Sequence, residues 1–282
     1  MKSLDNQVAG PIVVIGGTGK TGSRVLEKLE AKGVDVRSAS RSGPVPFDWR
    51  KPGTWADVVA GAKSIYITFA PDLAVPGSFE AISAFVDLAV REGVQRLVLL
   101  SGRGEDEAQR CEKIVMESGA EWTVVRASWF SQNFSEGEFS PMVQQGVIAL
   151  PAGKVAEPFI DIEDIADVVV AALVQPGHSG EVYEVTGPRL LTFSQVAQEL
   201  ALATGREVRY VPISLQSFSQ GLEENNAPAE MRWLLEYLMG TVLDGRNAQL
   251  ADGVQRALGR EPRDFRQFAQ AVAETGVWEE VA

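Results

Sequence analysis

The chain is poor in the residues that build disulfides and metal sites: its 282 residues include one cysteine, Cys111, and one histidine, His178. A single cysteine excludes an internal disulfide and suits a reducing compartment. With one imidazole and one thiol, only carboxylates are left as ligands, so no metal is expected. Basic runs are missing too, and the formal net charge is −12. A surface of that sign repels phosphate backbones and argues against a nucleic-acid partner. No apolar stretch reaches eighteen residues, and residues 1–10 carry Lys2 and Asp5 without an apolar core. Neither a membrane span nor a secretion signal is supported, and a cytoplasmic protein is expected. Internal repeats and low-complexity tracts are absent, and nothing indicates an oligomeric state.

Against these absences stands one rich stretch. An apolar run over residues 11–15 meets Gly16, Gly19 and Gly22, and Val25, Leu26 and Leu29 then mark one face of a helix over residues 20–32 that Gly33 ends. Strand, glycine turn and helix start in that order form an anion site. The first N–H groups of a helix carry partial positive charge, and glycines leave no Cβ to block a diphosphate. Gly19-Lys20-Thr21 looks like the end of an ATP-type loop, but that loop needs a glycine where Val14 stands. A dinucleotide is preferred, held by Gly16, Thr18, Gly19, Lys20, Thr21 and Gly22. The next strand, residues 34–39, runs into Ser40-Arg41-Ser42, with no acid to accept from a ribose 2′-hydroxyl. The planar fork of Arg41 suits a 2′-phosphate, with Ser42 beside it. The cofactor expected is NADP(H).

Further strands reach the same edge. Residues 45–49 read as a third strand stopping at Asp48, so Asp48 or Trp49 faces the adenine, unless Trp49 packs in the core. Thr54 should cap a short helix. A fourth strand, residues 64–69, brings Phe69 and Ala70 to the cofactor, and a helix over residues 77–93 leads to a fifth, residues 96–101, ending at Ser101. That hydroxyl either donates near the nicotinamide, as the one catalytic candidate, or caps the next turn. Glu105, Asp106 and Glu107 read as helix-start charges. Cys111 reads as a small buried residue and His178 as part of an exposed turn. After a sixth strand, residues 121–126, an aromatic loop offers Trp129, Phe130 and Phe134 to a flat substrate.

The alternation predicts an α/β fold, a Rossmann-type doubly wound parallel sheet. Beyond it the pattern loosens. A short strand over 146–150, a helix over 162–174, a strand over 180–185 and a helix over 193–203 capped by Thr192 are followed by mostly helical chain after Pro212. The division expected is an NADP-binding domain over 1–134 and a smaller, mostly helical substrate-side part over 135–282, some of whose segments return to the sheet.

The glycine turn with Arg41 resembles the NmrA-like atypical short-chain dehydrogenase/reductase family. Phe47-Asp48-Trp49 with Thr54-Trp55, residues 122–136, Asp164-Ile165-Ala166, residues 187–192 and residues 259–265 are similar to its ergot alkaloid branch, and the likeness covers nearly the whole chain. What it implies is an NADPH-dependent reductase of a cyclic iminium. Typical members of the wider superfamily use a tyrosine with a lysine four positions later as proton donor. Here the fourth residue after Tyr66, Tyr183, Tyr210 and Tyr237 is Ala70, Gly187, Ser214 and Thr241. Ketone reduction is therefore disfavoured. Hydride addition to an iminium neutralises charge and needs orientation more than an acid, and a quinone, whose charge delocalises, is the runner-up substrate. Other NmrA-like proteins bind NADP without turnover, so a redox sensor is the competing reading, and an isomerase that retains its cofactor a third.

Overall fold

The computed structural model describes residues 10–279. Strand and helix alternate through β1 (Ile12–Ile15), α1 (Lys20–Glu30), β2 (Val36–Ser40), β3 (Val45–Pro46), α2 (Trp55–Val59), β4 (Ser64–Ile67), α3 (Ser78–Arg91), β5 (Arg96–Gly102), α4 (Asp106–Met116) and β6 (Glu121–Ala127). There follow α5 (Ser140–Gln144), β7 (Val147–Leu150), β8 (Ala156–Glu157), α6 (Ile162–Val174), β9 (Glu181–Val185), β10 (Leu191–Thr192), α7 (Phe193–Thr204), β11 (Arg209–Pro212), α8 (Leu215–Glu224), α9 (Ala229–Tyr237), α10 (Gly253–Leu258) and α11 (Phe265–Ala273).

Seven strands form one sheet in the order β3-β2-β1-β4-β5-β6-β9, with parallel registers from β3 through β5. This is the doubly wound arrangement that the alternation predicts. The chain winds outward from β1 in both directions, so the strand order reverses between β1 and β4. Ligands of such sheets bind outside the carboxyl ends at that point. Every residue of β1 and β4 is buried, as strands covered on both faces must be, and their runs are accordingly continuous instead of alternating. Ile82, Phe85, Val86 and Ala89 give α3 its buried face.

The chain divides into two compact units. The first comprises the described residues up to Arg126 with Ile165–Glu184 and Gly253–Gly259; the second comprises Ala127–Asp164, Val185–Asp252 and the described residues from Arg260 onward. In the second unit, β8 pairs antiparallel with β10, and β7 pairs parallel with β11. β11 has no counterpart in the sequence reading, because its four half-buried or exposed residues carry no clear alternation. The core of this unit is aromatic: Phe134, Phe159, Phe193 and Phe265 are each at most 2% exposed, and Phe134 meets all three others. Two charge clusters fasten its ends. Arg189 donates to Asp264 and Glu199, and Arg266 also donates to Glu199, which joins α7 to the start of α11. Asp164, fully buried, accepts from the backbone N–H of Arg263 at 2.6 Å and from the guanidinium groups of Arg260 and Arg263.

Three expectations need correction. β3 stops at Pro46 and not at Asp48, because the chain turns there: Asp48 N–H donates to Thr54 Oγ1, and Trp55 Nε1 to the Asp48 carbonyl. Thr54 accordingly makes no helix cap. His178 does lie in a turn, but it is 7% exposed, with Nδ1 2.8 Å from Tyr183 Oη. Burial, and then the charge of Arg96, hold its pKa below the usual imidazole value. The unfolded chain therefore takes up a proton near pH 6.5 that the folded chain resists, and His178 removes stability as pH falls through that range. The stability difference between wild type and His178→Asn should shift against wild type between about pH 7 and pH 5, as read from urea midpoints. An unchanging difference would refute it.

Among the described residues no helix is long and apolar enough to cross a membrane, and no group of three metal-ligating side chains occurs.

Candidate functional site

The glycine turn sits at the reversal point of the sheet and is tied to both neighbouring strands. Gly16 N–H donates to Ala39 O of β2 at 2.8 Å, and Thr68 Oγ1, just after β4, donates to Ile15 O at 3.0 Å. Gly16 has φ +71° and so occupies the left-handed region that glycine adopts at no steric cost. A Cβ on Gly22 would overlap Gly16 O. The missing side chain thus lets the first turn of α1 rest directly on the turn leaving β1. Gly19 is the N-cap residue of α1, exposed and with no side-chain cap, and the first helical turn holds no acid. An anion there meets uncapped N–H groups and no competing carboxylate.

Arg41 and Ser42 follow β2 at the same edge, both exposed, and the Arg41 guanidinium makes no hydrogen bond or ion pair with any described residue. Beneath them the Ser40 hydroxyl is buried and has no partner. Exposed Thr18, half-buried Lys20, an unspent guanidinium and an unpartnered O–H donor fit a phosphorylated ligand. The Thr21 side chain is engaged within the fold, which leaves its backbone N–H for such a ligand. The residue is buried, and Tyr66 Oη of β4 donates to its Oγ1 at 3.0 Å, so Thr21 pins the start of α1 to the sheet.

Asp48 is half-buried, with Oδ1 accepting from Arg50 N–H. Of the two roles open to Trp49, the structure supplies core packing. The indole is 9% exposed, lies among Phe47, Trp55, Phe69 and Phe85, and donates to Thr68 O. Phe69 and Ala70 stay partly or fully exposed beyond β4. Ser101 neither caps the next turn nor keeps a free donor: its hydroxyl is buried and donates to Glu112 Oε1 at 2.6 Å. Glu112 is held by Arg126, which also reaches Glu184 at 2.7 Å. Ser101 therefore serves as a strut, and the catalytic role considered for it is withdrawn. Cys111 is buried as expected, and burial pushes its thiol up to about 11, which leaves no thiolate at neutral pH.

In the second unit, Trp129 is half-buried and stacks on Phe139 with ring centres 6.2 Å apart. Phe130, also half-buried, forms an isolated bridge with Ile160. Phe134 cannot face a substrate, because it is fully buried at the centre of the aromatic core.

One feature escaped sequence reasoning. Glu105, read as a helix-start charge, is 7% exposed, and its carboxyl neighbours that of Asp72 from the loop after β4. Desolvation, and then the charge of Asp72, push its carboxyl well above the usual range. The two acids are thirty-three positions apart, so no local pattern joins them.

A family model described as NAD(P)H-binding matches residues 16–176. The chain is 30% identical to an NAD(P)H azoreductase of Xenophilus azovorans over 93% of this chain and 98% of that one. It is also 30% identical to festuclavine synthase I of Penicillium roqueforti, over 92% and 97%. The fold superposes on a Citrobacter sp. triphenylmethane reductase complexed with NADP(H), with a TM-score of 0.76, 17% identity and coverage of 93% and 99%.

Proposed function

We propose, since this chain belongs to the NAD(P)H-binding family and is similar over nearly its whole length to festuclavine synthase I, that it takes NADPH in preference to NADH and passes hydride to a flat, electron-poor small molecule. That it is an NAD(P)H-dependent reductase follows from its family and relatives. The cofactor preference rests on one observation, the unpaired guanidinium of Arg41 beyond β2 where an acid would select NADH.

The cofactor, when bound, supplies the hydride. The chain's own residues bind and orient. The start of α1 receives the diphosphate, Arg41 and Ser42 the 2′-phosphate, and Phe69 and Ala70 line the edge beyond β4. The tyrosines support an acceptor that needs little acid. Tyr66, Tyr183 and Tyr210 have their phenols engaged with Thr21, His178 and Leu150, and Tyr237 stacks on Trp233. None is followed at the fourth position by lysine. A cyclic iminium suits such a site, since hydride transfer cancels its charge and leaves no oxyanion. Quinones and azo compounds are the next candidates, with solvent supplying protons.

Loss of reduced-nicotinamide absorbance with a panel of cyclic iminium salts, quinones, azo dyes and simple ketones tests this reading. Turnover of iminium or quinone acceptors without ketones is expected. Tight NADPH binding with no oxidation by any acceptor would overturn it in favour of a redox sensor. For the cofactor, Arg41→Glu should weaken NADPH by about a hundredfold, equivalent to about 2.7 kcal/mol, and NADH by far less. Equal losses for both would refute the assignment to the 2′-phosphate.

A further inference from the structure

Glu105 and Asp72 occupy loops that follow two neighbouring strands of the ligand edge, β5 and β4. Their placement is specific. A Cβ on Gly102 would overlap the Glu105 carboxyl, so the carboxyl lies where only glycine leaves room against the end of β5. No N–H or O–H of a described residue reaches Glu105 Oε2, which is fully shielded from solvent. On the other side, Asp72 Oδ1 accepts from Ala74 N–H at 2.7 Å, an Asx turn that shapes the loop. Two carboxyl groups can hydrogen-bond only if they hold a proton between them. Deprotonated, they are two like charges with nothing else to satisfy Glu105.

We infer that this pair is a proton-dependent latch: Glu105 as the acid, donating to the Asp72 carboxylate, fastens residues 69–75 to the end of β5 and so sets the cofactor-facing edge for NADPH. Both are positioning residues, and the inference rests on the reading of that edge as the cofactor site. The charged groups acting on Glu105 are Asp72 from the β4 loop and Glu112 from α4, both acids and both favouring its neutral form. Arg103, in the same loop, is paired with Glu184 at 3.4 Å, and Glu112 with Arg126. The sign follows. A group whose folded pKa is raised contributes stabilisation that is fully present below its unfolded value and is lost as pH rises through the folded one. Loss of the proton to solvent leaves two carboxylates that repel each other, and the loop carrying Phe69 and Ala70 is released.

The test is NADPH affinity by calorimetry between about pH 6.5 and 9.5 for wild type, Glu105→Gln and Asp72→Asn. Each variant keeps an N–H donor between the two positions and cannot lose it by titration. Wild type should lose about tenfold in affinity across this range, and both variants should stay flat. Glu105→Ala should bind weakly at every pH. Hydrogen exchange of the amides of residues 69–75, measured on the wild-type chain without cofactor, should quicken over the same pH interval, a readout that needs no variant to fold. Parallel slopes in wild type and Glu105→Gln, or exchange that does not change with pH, would overturn the latch while leaving the cofactor site intact. Failure of wild type to bind NADPH at any pH would instead overturn the cofactor reading.

Discussion

Gly22→Ala should raise the Kd for NADPH by at least about a hundredfold, the equivalent of about 2–3 kcal/mol, while leaving the sheet assembled. The added methyl would meet the backbone of the turn after β1: it would overlap Gly16 O and lie 3.0 Å from Gly17 Cα. Backbone cannot rotate aside as a flexible side chain can, so either the turn after β1 or the first turn of α1 must move. Both present the N–H groups proposed to hold the diphosphate, so a shift of a few tenths of an ångström misaligns them together. The contrasting substitution is Gly221→Ala in α8, where no atom lies within 4 Å of the added carbon. Helix propensity alone should make that variant neutral or stabler by up to about 1 kcal/mol, with unchanged NADPH affinity. Calorimetric titration of the two variants side by side separates a local effect on the turn from a general loss of fold. Equal affinity in Gly22→Ala and wild type would remove the glycine turn from the site.

Asp164→Ala should cost about 3 kcal/mol of unfolding free energy, near the lower end of the range for breaking a buried ion pair. The carboxylate is fully buried and holds Arg260, Arg263 and the Arg263 backbone N–H. Its loss strands three donors, but the side chains of Arg260 and Arg263 are more than a third exposed and can turn to water, which limits the penalty. Removing an arginine differs in kind. Arg263→Ala leaves a buried carboxylate short of a partner, and Asp164→Asn keeps the volume and an acceptor oxygen. Urea denaturation should rank wild type above Asp164→Asn and Asp164→Asn above Asp164→Ala. An Asp164→Ala midpoint within error of wild type would show that the cluster is decoration.

That cluster explains much of what was legible in the sequence. The segments likening this chain to the ergot alkaloid branch include Asp164, residues 187–192 and residues 259–265. Most of their charged members are mutual partners: Asp164 with Arg260 and Arg263, and Arg189 with Asp264. Thr192 adds a capping box with Gln195. These motifs record how the second unit is held, and they say little about substrate. The glycine turn, by contrast, is local. Strand, turn and helix are adjacent in sequence, so their geometry follows from residue order, and Gly16, Gly19, Gly22 and Arg41 could be placed without coordinates. Side-chain partnerships across the sheet could not. Ser101 with Glu112, Tyr66 with Thr21 and Glu105 with Asp72 join residues from different strands and helices. Periodicity reports which face is buried and not which neighbour it meets. Phe134 failed for the same reason, because a loop aromatic and a core aromatic look alike until the packing is known.

The routing of the chain bears on how it is made. β9 pairs with β6 at the border of the large sheet, and the first unit also draws on Gly253–Gly259. A ribosome that has delivered residues 1–134 has therefore built only six of the seven strands, and the flank of β6 stays bare until residue 185 emerges. Cutting the gene at that point would yield a polypeptide with an unpaired sheet border, open to sticking to its own kind. A fragment meant to carry the first unit is therefore expected to need residues 181–185 and 253–259 as well.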